Sequence, residues 1–272
     1  MKRDLYLEII FNNIYMNNQF ILNYQGSKFR ESKYLNNIDF SSYDTIIEPF
    51  GGSFGFSRYL WSVKNYKDKK YIIYDTNKEL IDFYNYLKNN DITAFLDDYN
   101  KICNIIFSLF STGKDKSQIK IKDTLKWINE NIHDSNLKFC MITNIKSSPI
   151  SRIYIKNNMN FSDMFKNAEF ICNDFSNIDF SIYDKNKTLL YFDPPYAFEN
   201  NLFYKVNDKD ITYKNFWERL IEFFVDNDYK CLLIHSYHIL IYYILKNYLH
   251  CDYSLKYGSG NLRIHNVYYK IE

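Results

Sequence analysis

The stretch that most constrains this chain is Leu189-Leu190-Tyr191-Phe192-Asp193-Pro194-Pro195-Tyr196. Its apolar and aromatic run is too short for a globular helix and reads as a buried strand, and the two prolines stop strand or helix from continuing past it. Asp193 therefore stands at the carboxyl end of a buried strand, where open α/β sheets place their reactive groups. Residues with special backbone geometry are scarce. The 272 residues include seven glycines and four prolines, where average usage of about 7% would give roughly nineteen glycines. Yet Gly26, Gly51, Gly52 and Gly55 fall in two short stretches near the amino terminus, and three of the prolines are Pro49, Pro194 and Pro195. Placement this selective marks backbone paths that other residues cannot follow.

Upstream, the pattern of strand, turn and helix recurs. Gly26 and Ser27 make a turn before Lys28 and a helix predicted over 30–36. Thr45 to Phe50 reads as a first strand, followed by Gly51-Gly52-Ser53-Phe54-Gly55 and a helix over 56–64. Glycines between strand and helix let backbone approach a ligand closely, but their spacing is not G-x-G-x-x-G, so a dinucleotide site is the weaker reading. Tyr71 to Asp75 is a second strand, and Asp75 or Thr76 caps a helix reaching Asn89. Asp75 follows the glycines by roughly twenty residues, the distance at which an acid meets a ribose diol in nucleotide-binding α/β folds; a solvated helix cap is the competing role. Ala168 to Cys172 reads as a third strand ending at Asn173-Asp174-Phe175, and the Asp193 stretch is the fourth. A helix over 213–225, a strand over 231–235, a helix over 237–248 and strands near 253–257 and 264–271 complete the sheet.

Four of these stretches, in this order, resemble the Dam-type, α-class N6-adenine-specific DNA methyltransferases. Asp193 to Tyr196 looks like the family's motif IV in its Asp form. Asn23-Tyr24-Gln25-Gly26-Ser27-Lys28 is similar to motif X, and Asp75-Thr76-Asn77-Lys78-Glu79-Leu80 matches D-x-N-x-x-L. Glu48, Pro49, Phe50 and Gly52 match motif I, E-P-F-x-G-x-G; here Phe54 stands in place of the second glycine and Gly55 comes one position late. The resemblance implies an α/β fold, a Rossmann-like S-adenosylmethionine-dependent sheet with an inserted, mostly helical target-recognition region. It implies S-adenosylmethionine as cofactor, with Tyr24 packed against it, Lys28 on its carboxylate end and Asp75 on its ribose. Gly26, Glu48, Pro49, Phe50, Gly52, Ser53 and Asp193 line the same site. Asp174 and Phe175 lie beside the cofactor adenine by the same resemblance, a turn cap and a core aromatic being their ordinary roles.

The chemistry implied is methyl transfer to an exocyclic amino group, a poor nucleophile because its lone pair is delocalised into the ring. The Asp193 carboxylate and the rigid Pro194 carbonyl, backed by Pro195, supply the two acceptors that pull it towards a tetrahedral shape, and Tyr196 offers a face on which a flipped base stacks. Order of motifs separates this family from glutamine-modifying protein methyltransferases, which as a family carry Asn before Pro-Pro-Tyr.

The catalytic and cofactor-binding domain is expected over 1–89 and 166–272, interrupted by an inserted target-recognition, DNA-binding domain expected over 90–165. From Lys101 to Lys156 ten basic residues face four acids, while the whole chain carries only +2. Charge concentrated in this way suits phosphate contact, and Lys116, Lys120, Lys122, Lys126, Lys146, Arg152 and Lys156 are the DNA-binding candidates. Asn144, Ser147, Ser148 and Arg152 are candidates for reading base edges. A helix over 121–132 with Trp127 inward is predicted. Double-stranded DNA is the expected partner, in a restriction-modification setting where a cognate restriction endonuclease can act beside the enzyme. No apolar run approaches twenty residues and no signal peptide opens the chain, so no membrane and an intracellular, cytoplasmic location (host cytoplasm for a viral source) are expected. The five cysteines lack C-x-x-C spacing and the histidines form no ligand set; reduced, mostly buried thiols and no metal are expected. The alternatives are an RNA N6-adenine methyltransferase, or a non-catalytic DNA-binding protein on a decayed scaffold.

Overall fold

The computed structural model describes residues 20–22, 27–112, 118–147, 162–196, 213–256 and 262–271. The strands of its main sheet are β1 (Thr45–Glu48), β2 (Lys70–Asp75), β3 (Ala168–Cys172), β4 (Thr188–Phe192), β5 (Lys230–Ser236), β6 (Leu249–Lys256) and β7 (Leu262–Lys270). The helices are α1 (Gly55–Ser62), α2 (Lys78–Asn89), α3 (Ile92–Phe110), α4 (Ile121–Asn131), α5 (Ser135–Ser147), α6 (Ser162–Asn167), α7 (Tyr213–Asp226) and α8 (Ile239–Leu245). The chain divides into two compact units: Met1–Arg30, Gly52–Lys67 and Asn77–Cys172 form the first, and Glu31–Gly51, Asp68–Thr76 and Asn173–Glu272 the second.

In the second unit the strands run β2-β1-β4-β5-β7-β6, within a sheet of seven. β1 pairs in parallel with β2 and β4, and β4 in parallel with β5; only β7 runs against its neighbours β5 and β6. Every residue of β4 is buried, which is why its sequence is a continuous apolar run rather than an alternating one. The fold is thus mixed α/β with a mostly parallel seven-stranded sheet, a Rossmann-like methyltransferase arrangement, and the expected strands are all found within a few residues of their predicted bounds. The segment expected as a helix over 30–36 is a tight 3-10 turn, Glu31–Leu35. The last predicted helix is shorter than expected: α8 ends at Leu245 and gives way to a 3-10 turn, Lys246–Tyr248.

The first unit is built on helix stripes. Along α2, Leu80, Ile81, Phe83, Tyr84 and Leu87 are buried at helical spacing; along α3, Ile92, Phe95, Leu96, Tyr99, Cys103 and Ile106 do the same. Phe83 meets Phe95 and Phe139, each with ring centroids 5.6 Å apart. The segment 90–165 is largely helical where described, through α3, α4 and α5. The compact units are drawn along other lines than this insertion, since its helices fall in one unit with α1 and α2. In α4 the buried positions are Thr124 and Ile128; Trp127, expected inward, is half-buried and lies edge-on to Phe110. Among the described residues no helix is long and apolar enough to cross a membrane, and no group of three or more His, Cys, Asp or Glu could hold a metal ion.

Candidate active site

Parallel pairing brings acids to one edge of the second unit. Ile47 of β1 pairs with Ile72 of β2 on one side and Leu190 of β4 on the other. Asp75 and Asp193 each follow their rung by three residues, so they flank the end of β1, where Glu48 is buried. Three carboxylates at the carboxyl ends of adjacent parallel strands match the crevice in which such sheets bind ligands. Asp75 does not cap the following helix, as one reading expected. Asn77 does, its side chain accepting from the Leu80 N–H at 3.2 Å. Backbone bonds draw the neighbouring loops in, with Gly51 N–H donating to Tyr74 O (2.7 Å) and Asn173 N–H to Asp75 O (3.1 Å). Gly51 has no room for a side chain, because a Cβ there would lie 2.3 Å from Ile73 Cγ2.

Pro49 and Pro194 are buried, and Asp193, Pro195 and Tyr196 are partly exposed. Phe50 packs on Phe175, Phe192 and Phe216, with centroids 5.5, 6.3 and 5.6 Å away. Phe175 is a core aromatic of this cluster, touching Phe180, Phe192 and Phe223. Asp174 caps the short turn Phe175–Asn177, accepting from Ser176 N–H and Oγ–H at 2.9 and 2.5 Å. For this pair the ordinary structural roles are realised.

In the first unit the glycine loop departs from the family pattern in an interpretable way. Gly52 and Phe54 both adopt positive φ, 46° and 40°. Phe54 does not face outward from the loop: it is buried among Phe20, Tyr84, Phe165 and Phe170. Gly55 is needed where it stands, because a Cβ would lie 2.6 Å from the backbone N of Phe29 and 2.8 Å from that of Lys28. Tyr84 donates to the Gly52 carbonyl at 2.7 Å. Ser53 is buried, its carbonyl accepting from Arg58 Nε–H at 2.9 Å, and Lys28 is buried as well. Tyr24 and Gly26 lie outside the described residues.

Of the DNA-binding candidates, Lys120, Lys122, Lys126 and Lys146 are exposed, and Lys126 reaches Glu130 at 3.9 Å. Lys116, Arg152 and Lys156 lie outside the described residues, as does Ser148. Asn144 is not at a surface that could read a base: it is buried, and its amide donates to Ile21 O and Tyr99 Oη, both at 2.9 Å. An amide in that position satisfies the core rather than a partner.

Sequence reasoning missed two groups. Arg58 is buried on α1, its guanidinium 3.9 Å from the Phe20 ring centroid and bonded to Ser27 Oγ (3.0 Å) as well as Ser53 O. Behind Tyr196 lie Glu31, His235, Tyr253 and His265, all buried. Tyr253 donates to Glu31 Oε2 at 2.6 Å, and His265 Nδ1 is 3.1 Å from the same oxygen. Burial first, then the Glu31 charge, pushes the Tyr253 phenol well up, so it stays a donor. Only the strand-end location of His235 was a signal in the sequence.

The donor set fits a ligand that carries positive charge and hydroxyl groups, since carboxylates at the ends of parallel strands attract the one and accept from the other. Residues 24–112 match the model of the D12 class N6 adenine-specific DNA methyltransferases. The chain is also similar to Type II methyltransferase M.MjaIII of Methanocaldococcus jannaschii, with 25% identity over 71% of this chain and 74% of that protein. Together with the α/β sheet and the acids at its strand ends, these matches make the chain similar, over its amino-terminal third, to the D12 class N6 adenine-specific DNA methyltransferases and, over most of its length, to a type II methyltransferase.

Proposed function

We propose that this protein transfers a methyl group from S-adenosylmethionine to N6 of an adenine flipped out of duplex DNA, at one short sequence. The observation that carries the reading is the placement of Asp75 and Asp193 on either side of β1, three residues beyond matched rungs, with Pro194, Pro195 and Tyr196 following directly. When bound, S-adenosylmethionine supplies a methyl group activated on positively charged sulfur. Asp75 would accept from its ribose hydroxyls, and Lys28 would meet its carboxylate. By the family resemblance, Glu48, Pro49, Phe50, Gly52, Ser53, Tyr24 and Gly26 are the further cofactor-binding candidates. At the base, the Asp193 carboxylate and the Pro194 carbonyl each accept one N6–H, concentrating the lone pair on nitrogen, while Tyr196 stacks against the ring. Asp193 would hold N6 through its hydrogen and take up the proton that the nitrogen gives up on gaining a methyl group. Orientation and electrostatics provide the acceleration, and no covalent bond to the protein is required.

The basic segment 101–156 would hold the duplex phosphates through Lys116, Lys120, Lys122, Lys126, Lys146, Arg152 and Lys156, offsetting the few kcal/mol of flipping. A cognate restriction endonuclease is the partner this setting suggests. The test is transfer of labelled methyl from S-adenosylmethionine to unmethylated duplex DNA, comparing wild type with Asp193→Ala and mapping the modified positions. Label on adenine N6 at one sequence is expected, with the variant reduced at least about 100-fold. Label on RNA alone would move the reading to an RNA enzyme, and cofactor binding abolished in the wild type would leave a decayed scaffold.

A further inference from the structure

Tyr196 is only half-buried, yet a ring on which a base stacks must hold its plane to be useful. Two fully buried imidazoles brace it. His265 stands edge-on to the Tyr196 ring (88°, centroids 5.5 Å apart) and His235 lies at 64° and 5.1 Å. His235 is itself held edge-on by Trp217 at 4.6 Å. His265 Nδ1 faces three oxygens: Glu31 Oε2 at 3.1 Å, Tyr196 Oη at 3.3 Å and Tyr253 Oη at 3.4 Å. Tyr253 already donates its proton to Glu31 and is stacked on Tyr34, with centroids 4.3 Å apart. A carboxylate serving as acceptor for Tyr253 requires a hydrogen on the nitrogen that also faces it, so Nδ1–H is shared between Glu31 and the Tyr196 oxygen. Burying a carboxylate and two imidazoles costs more than packing apolar groups in the same space. The arrangement therefore calls for a role in orientation rather than in stability.

We propose that Glu31 and His265 are positioning residues for methyl transfer: Glu31 fixes the imidazole with Nδ1–H towards Tyr196, and His265 fixes the ring on which the flipped base stacks. The inference rests on the adenine-methylation reading and acts wholly through Tyr196. Its test uses single-turnover transfer to a duplex carrying the site mapped with the wild-type enzyme, and 2-aminopurine at the target position to report stacking. The variants are His265→Asn, whose amide nitrogen reaches the place of Nδ1, His265→Gln, whose amide lies nearer that of Nε2, Tyr196→Phe, and the Gln/Phe double. His265→Gln is expected to slow transfer about ten-fold and brighten 2-aminopurine, with S-adenosylmethionine affinity by calorimetry within about two-fold of wild type. His265→Asn should recover to within about three-fold of wild type, and the double should be no slower than its slower parent, as coupled residues require. A wild-type rate in His265→Gln, equal losses in Asn and Gln, or losses that multiply in the double would overturn the proposal. If His265→Gln does not fold, Glu31→Gln takes its place: the same ten-fold loss, about 1.4 kcal/mol, supports the proposal and an unchanged rate overturns it. A wild type that methylates no adenine overturns the underlying reading instead.

Discussion

Phe54 shows how one residue can break a family pattern without breaking the fold. Its backbone (φ 40°, ψ 48°) is left-handed, a conformation that glycine takes freely and that costs another residue about 1–3 kcal/mol. Its side chain is 1% exposed and meets four aromatic rings, and truncating a buried Phe typically costs about 3–5 kcal/mol. Packing exceeds strain. Phe54→Gly is therefore expected to lose about 2 kcal/mol in denaturant unfolding despite restoring the family's glycine; a variant more stable than wild type would show that strain dominates. The true glycine requirement has moved to Gly55, against which the backbone of Lys28 and Phe29 lies closer than any Cβ allows. Gly55→Ala is expected to destabilise by about 1–3 kcal/mol in the same measurement, with both loops shifting to relieve the overlap.

At the scale of elements, what could be read from the sequence was what depends on neighbours along the chain. β1, β2 and β4 announce themselves because parallel strands covered on both sides need unbroken apolar runs, and the acids that follow them mark the strand ends. Details set by local geometry came out less well: the cap of α2 is Asn77 rather than Asp75 or Thr76, and α4 turns Thr124 and Ile128 inward in preference to Trp127. The brace behind Tyr196 was hidden altogether, because Tyr253 and Glu31 are 222 positions apart and only the folded sheet joins them. Arg58 was hidden for a related reason. On α1 its sequence context is that of a surface cation, but it is 3% exposed and ties Ser27 of one expected cofactor stretch to Ser53 of another. Two differently directed N–H bonds and a flat face over Phe20 are features that lysine lacks. Arg58→Lys is accordingly expected to weaken S-adenosylmethionine binding about ten-fold by calorimetry, a loss of about 1.4 kcal/mol, even where circular dichroism shows the variant folded. Unchanged affinity in a folded variant would mean that tethering these stretches does not shape the cofactor site.

For the whole molecule, the decisive feature is how the two compact units share the chain. Each is assembled from three separate segments, and the chain passes from one to the other after Arg30, Gly51, Lys67, Thr76 and Cys172. Neither is a contiguous piece that could come apart at one linker, so unfolding one pulls on the segment ends of the other. Buried thiols report on both. Cys103 on α3 and Cys140 on α5 sit in the core of the first unit, and Cys231 on β5 in that of the second. Desolvation pushes the Cys103 and Cys231 thiols up to about 12 and the Cys140 thiol well above its ordinary value. At pH 8 these three are inert through lack of thiolate as well as lack of access. Cys172, which is exposed, should react first with a thiol reagent, and half-buried Cys251 more slowly. Under increasing denaturant, Cys103, Cys140 and Cys231 are expected to become reactive over one common transition, read by mass spectrometry of the labelled peptides. Reaction of Cys231 at a midpoint clearly apart from that of Cys103 and Cys140 would show that the interleaved segments do not couple the two cores.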